Sequence, residues 1–176
     1  MSSLEQFKID LKGLKDELTK LEFDLDKDYF DALDETDVQS GVLHVSVSIR
    51  KASGFFELLF HTVGSIDIPC DRCLDLMEQP IETDNRLVVT LGSTAREEDD
   101  TVIVDEDEGI LDTSWFIYEF IALAIPIQHV HAPGKCNPAM TQVLEELSAD
   151  RSGDEESTEA VDPRWEKLRG LLGPEH

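Results

Sequence analysis

The chemistry this chain could do is concentrated in three cysteines and two histidines. In Cys70-Asp-Arg-Cys73-Leu74, two thiols three positions apart can bind one metal ion from a single turn or close one small disulfide. The remaining cysteine, Cys136, ends the stretch Pro126-Ile-Gln-His129-Val-His131-Ala-Pro-Gly-Lys-Cys136. If the fold joins the two stretches, three thiols and two imidazoles surround one point. A structural zinc site takes four tetrahedral ligands from Cys and His. Cys70, Cys73 and Cys136 with His129 or His131 are therefore candidate ligands of a zinc knuckle. Two other readings stay open. The Cys70/Cys73 pair could serve a cytosolic thiol-redox or redox-sensing protein, with Arg72 between the thiols favouring thiolate. Or the three thiols could be ordinary ones. A thioredoxin-like pair should open a helix within a βαβ unit, whereas here a hairpin precedes the pair and a strand follows it.

The elements that must position these residues show in the apolar periodicity. Residues 5–12 alternate as a half-buried strand, 13–15 turn, and 17–25 alternate again. Residues 28–33 predict a short helix capped by Asp26 or Asp28. Leu43, Val45, Val47 and Ile49 share one strand face, opposite His44, Ser46, Ser48 and Arg50. Residues 51–54 turn, 55–63 return as an antiparallel partner, and Gly64-Ser65 turns once more. Ile66-Asp-Ile then leads into Pro69-Cys70, which places the Cys pair on a turn at a strand end. Residues 81–91 predict a further strand. The acid-rich stretch 93–109 predicts a solvated loop around a short strand at Val102-Ile-Val. Residues 115–125, apolar nearly all round, predict a buried helix stopped by Pro126. Asn137-Pro138 starts a helix through Leu147, and Asp162-Pro163-Arg-Trp165 starts a short terminal one.

The expected fold is α+β: an antiparallel β meander, forming a partly closed sheet, with a buried helix and C-terminal helices. Residues 1–147 make one domain carrying the acidic loop, 148–161 a flexible linker, and 162–176 a short helix and tail. The 176 residues carry 39 acidic and 15 basic side chains, a formal charge of −24. That excludes holding nucleic acid by broad phosphate neutralisation and favours basic partners. No run of about eighteen apolar residues predicts a membrane span, and the N-terminus lacks a secretory pattern. A reducing, cytoplasmic setting is expected, where a close cysteine pair reads as metal-binding or redox-active.

Cys70-Asp-Arg-Cys73-Leu74 resembles the Cys-x-Arg-Cys-Leu signature of the YceD-like family, the large ribosomal RNA subunit accumulation proteins. The order of features agrees over roughly residues 5 to 172: a meander, the cysteines, an acidic loop, an apolar helix ending Ala124-Ile125-Pro126 with His129 after it, Cys136, and Asp162-Pro163-Arg164-Trp165-x-x-Leu168. The resemblance implies a bacterial accessory factor for 23S ribosomal RNA synthesis, processing or stability, without known catalytic activity and with metal bound. It implies Cys70, Cys73 and Cys136 as ligands, with His129; His131 is a local candidate that the family pattern does not supply. Such a factor at −24 is expected to meet a ribosomal protein or pre-ribosomal particle, with at most a local RNA contact. Arg50, Lys51 and Arg72 are candidates for that contact, and Trp165 for a partner contact through the terminal helix. Neither a membrane nor a small-molecule substrate is expected.

Overall fold

Alternating apolar side chains, most clearly those around Val45 and Val47, build the sheet that carries the rest of the molecule. The structure, a computed structural model, describes residues 3–33, 38, 40–92 and 101–148. After a 3₁₀ turn at Ser3–Phe7, the elements are β1 (Lys8–Asp10), β2 (Leu18–Leu25), α1 (Lys27–Ala32), β3 (Ser40–Ala52), β4 (Phe55–Pro69), β5 (Leu76–Leu91), β6 (Thr101–Val104), β7 (Ile110–Asp112), α2 (Ser114–Ala124) and α3 (Pro138–Leu147). The chain divides into two compact units, Met1–Thr141 and Gln142–His176. Of the second, the described residues are 142–148, the last turns of α3, where the Ser148 N–H donates to Leu144 O at 2.8 Å.

The main sheet has the order β2-β3-β4-β5-β6, and β1 pairs with β7 in a small sheet of its own. The expected antiparallel meander holds from β2 to β5. It ends there, because β6 runs parallel to β5. The sheet is open, with β2 and β6 as its edges, rather than partly closed.

Two further expectations change. Residues 5–7 form the 3₁₀ turn, leaving only Lys8–Asp10 as strand. And Gly64-Ser65 does not turn: β4 runs unbroken through it, with Gly64 opposite Leu43 on one side and Ile81 on the other. The glycine is needed for close approach instead. A Cβ there would stand 2.2 Å from the Val42 carbonyl oxygen.

One face of the sheet is the core. Leu43, Val45, Val47 and Ile49 of β3 are 0–2% exposed, and Leu58, Phe60 and Ile66 of β4 join them. Over them lie Tyr29 and Phe30 of α1, Ile117 and Ile121 of α2, and Phe7. The Phe7 and Tyr29 rings sit 5.0 Å apart, and those of Phe60 and Phe120 5.2 Å apart. Helix α1 is capped by Asp26, whose carboxylate accepts the Tyr29 N–H at 3.3 Å. Helix α2 buries one face only. Ile117 and Ile121 are fully buried, but Trp115 is 49% and Leu123 79% exposed, so the helix is amphipathic by burial although not by composition. None of the described helices is long and apolar enough to cross a membrane.

Thr62 is the exception in this core. Its side chain is fully buried and its hydroxyl has no hydrogen-bond partner among the described residues. An unpaired buried hydroxyl destabilises, and valine has the same shape without it. Thr62→Val is expected to stabilise the fold by about 1 kcal/mol, seen as a melting temperature raised by roughly 2–4 °C. A lowered melting temperature would show that the hydroxyl is paired.

Candidate metal centre

The turn between β4 and β5 presents the first two thiols. Pro69 and Leu76 still pair across the hairpin, and residues 70–75 form its end. The Cys70 N–H donates to Asp75 O, and the Leu74 N–H donates to Cys70 O, each at 2.9 Å. The Arg72 N–H points at the Cys70 sulfur, 3.4 Å away. Closing so tight a turn puts Leu74 in the left-handed region at φ 63°, a conformation that costs a residue with a Cβ roughly 1–2 kcal/mol.

The second half comes from the irregular stretch after α2. The Asp71 N–H donates to His129 O at 2.9 Å, and the His129 N–H donates to the Asp71 carboxylate at 2.8 Å. This reciprocal pair lays residues 126–131 against the Cys turn. The chain then reverses in Ala132-Pro133-Gly134-Lys135, where the Lys135 N–H reaches Ala132 O at 2.9 Å and Gly134 has φ 78°. Proline then positive-φ glycine is the pattern of a type II turn, and it brings Cys136 back beside His131. Asn137 locks the arrangement. Its side-chain oxygen accepts the Ala139 N–H and caps α3, while its amide donates to the Asp75 carboxylate at 3.1 Å.

The two halves meet. One ligand atom from each of Cys70, Cys73, His131 and Cys136 lies within 4.8 Å of the others, close enough to hold one metal ion. The Cys70 and Cys136 sulfurs are 4.0 Å apart, and Cys73 Sγ is 3.3 Å from His131 Nδ1. Tetrahedral zinc with bonds of about 2.3 Å to sulfur and 2.0 Å to nitrogen requires edges of roughly 3.8 and 3.5 Å, so the donor set fits.

His129 stays outside the cluster. Its Nδ1 is 3.1 Å from Pro126 O and its Nε2 3.3 Å from the Asp71 carboxylate, so both ring nitrogens face an oxygen. This ring fixes the loop, and His131 is the one that joins the thiols.

The electrostatics are those of crowded sulfur. Burial opposes a Cys70 thiolate, but the N–H groups of Cys73, Arg72 and His131 and the His131 ring outweigh it, bringing the thiol down to about 6. Cys136 moves the other way: burial, then the neighbouring Cys70 and Cys73 sulfurs, push it up. Negative charge on one sulfur discourages it on the next, and a divalent cation removes that conflict.

The remaining site expectations fare differently. Arg50 and Lys51 lie at the β3–β4 hairpin, Arg50 in register with Glu57. Arg72 lies beyond Pro69, at the far end of β4. Some twelve strand residues, on the order of 40 Å, separate it from Arg50, so the three make no single patch. His44 pairs with Asp24 and His61 with Asp84 on the exposed sheet face, both at 2.8 Å. Trp165, with its expected helix, and the 93–100 part of the acidic loop lie outside the described residues. Asp71 and Asp75 were not singled out from sequence, and Asn137 was expected only as a helix start. An aspartate between the two cysteines and an Asn-Pro helix start were the signals available.

Against known families, residues 58–172 match the model described as Large ribosomal RNA subunit accumulation protein YceD. No curated protein and no solved structure matches the chain.

Proposed function

We propose, for a chain that belongs to the YceD family of large ribosomal RNA subunit accumulation proteins, a non-catalytic role in supporting 23S ribosomal RNA in the cytoplasm, with a zinc knuckle as its structural clasp. The observation that carries the role is the family match, which spans well over half of the chain. The family implies a part in ribosome biogenesis; the step, synthesis, processing or stability, is the finer reading.

Cys70, Cys73 and Cys136, as thiolates, and His131, through Nδ1, would hold the zinc. Four protein ligands close a structural site and leave no position for substrate, as a catalytic zinc requires. What the ion supplies is a cross-link between the β4–β5 turn and the stretch that follows α2. Thiol-redox work needs an accessible thiolate, and Cys70 and Cys73 are 0% and 1% exposed. The charge of −24 supports a basic ribosomal protein or a pre-ribosomal particle as partner.

Deleting the gene is expected to lower 23S relative to 16S ribosomal RNA. The wild-type gene should restore the ratio, and a Cys70→Ser copy should restore it less well. An unchanged ratio in the deletion strain would overturn the role.

A further inference from the structure

We propose that the β3–β4 hairpin end of the sheet is a contact surface for single-stranded RNA. The inference rests on the ribosomal RNA reading above and adds to it a place on the molecule. Lys12, Lys20, Arg50 and Lys51 all precede residue 58, where the family match begins.

Two arginines anchor the surface. Arg50 on β3 and Arg86 on β5 both reach Glu57 on β4 between them, Arg50 through Nη2 and Arg86 through Nε at 2.7 Å. The Glu57 side chain is 10% exposed, while the arginines stay 66% and 60% exposed. Hydrogen bonds from Arg86 first, and from Arg50, hold the Glu57 carboxyl below its usual range despite burial. One buried carboxylate thus fixes two guanidiniums side by side, each with N–H donors to spare. The cluster keeps a net positive charge. Paired, preorganised guanidiniums suit a phosphate, whose oxygens accept their donors in pairs.

Apolar surface adjoins them. Leu59, 48% exposed, and Phe55, 36% exposed, stand on the same outward face of β4 as Glu57. Phe55 also lines a cleft of about 350 Å³ on the hairpin with Lys12, Lys51, Phe56 and Leu91. The Lys51 ammonium lies 5.8 Å from the Phe56 ring centre. Lys20, opposite Ser48 on β2, extends the basic row across the sheet. Cations beside an exposed ring, here Phe55 and not the buried Phe56, are what unpaired nucleotides use, phosphate on the charge and base on the ring. In a duplex the bases are stacked away from such a ring.

The remainder of the outward face is acidic, with Glu22, Asp24, Glu82 and Asp84 in the rows nearer the metal centre. Screening over about 8 Å at physiological salt makes the local cations decide, and the acidic rows confine RNA to the hairpin end.

The test is fluorescence anisotropy of the full chain with a labelled single-stranded RNA of about twelve nucleotides. Arg50→Gln/Glu57→Gln/Arg86→Gln removes both guanidiniums without leaving a buried charge. It is expected to weaken binding about tenfold and to flatten the slope of log K on log salt by about 1.4, two contacts at about 0.7 each. Phe55→Ala should weaken binding several-fold, and Arg72→Gln, at the opposite end, should not change it. No binding by the wild type, equal binding by the triple variant, or equal competition from polyglutamate would overturn the surface. In cells, a triple variant that fully restores 23S ribosomal RNA would refute the surface and leave the functional role standing. A deletion with normal 23S would remove the role itself.

Discussion

Cys70→Ser is expected to lower the melting temperature by roughly 10 °C and to abolish the effect of chelators. The magnitude follows from mass action: a metal present at about a thousand times its dissociation constant stabilises by about 4 kcal/mol, and each kcal/mol moves a domain of this size by a few degrees. The variant should still fold. The core built on β3, β4 and β5 draws on none of the four ligands, and the thiols sit at one end of the β4–β5 hairpin. What should be lost is the hold on residues 126–137. A chelator should bring the wild type to the melting temperature of the variant and leave the variant where it is. The metal-dependent increment should shrink as pH falls, because the Cys136 thiol is pushed up and its proton must be displaced before the sulfur can bind. Equal melting temperatures for wild type and variant, with no chelator effect in either, would rule out a stabilising metal.

A second large effect is expected far from any ligand. Gly64→Ala should cost about 3 kcal/mol or more. The new Cβ would stand 2.2 Å from the Val42 carbonyl oxygen and 2.6 Å from Leu43 Cα, both backbone atoms of a paired strand that cannot rotate away. Making room means parting β3 from β4 inside a ladder that runs unbroken from Ser40 to Ala52. Gly92→Ala is the matched control, since a Cβ there meets nothing within 4 Å among the described residues, and its effect should stay within about 0.5 kcal/mol. Denaturant midpoints for the pair decide the matter. If Gly64→Ala is as mild as Gly92→Ala, the chain turns at Gly64 and β4 does not run through it.

That glycine shows where sequence reading stops. The strict alternation from Leu43 to Ile49 identified both faces of β3, because one face is core and the other exposed. Gly64-Ser65 has turn composition, and nothing local reveals that the residue is small because a neighbouring backbone lies against it. The strand expected over residues 81–91 begins earlier: β5 starts at Leu76 and passes through Pro80. Proline is tolerated there because β6 pairs only with Val88–Leu91, so at Pro80 β5 is still an edge strand. The direction of β6 could not be read at all, since alternation assigns faces and says nothing of parallel or antiparallel.

The candidate site was half legible. Cys-x-x-Cys at a strand end announced a knuckle, and Cys136 was the one thiol left to complete it. The choice between His129 and His131 was not local. It turns on Asp71, whose carboxylate faces one nitrogen of the His129 ring and the backbone N–H of the same residue. The Arg50, Lys51 and Arg72 grouping failed for a geometric reason: proximity in sequence across a hairpin says nothing about a residue at the far end of a fifteen-residue strand.

Native mass spectrometry of protein purified without chelator tests the central claim most directly, with Cys70→Ser, Cys136→Ser, His131→Ala and His129→Ala beside the wild type. One zinc per chain is expected in the wild type and in His129→Ala, with zinc lost from both cysteine variants and lost or greatly weakened in His131→Ala. A folded wild type with no metal and three titratable thiols would contradict the metal centre. Zinc retained by His131→Ala but lost from His129→Ala would contradict the ligand set.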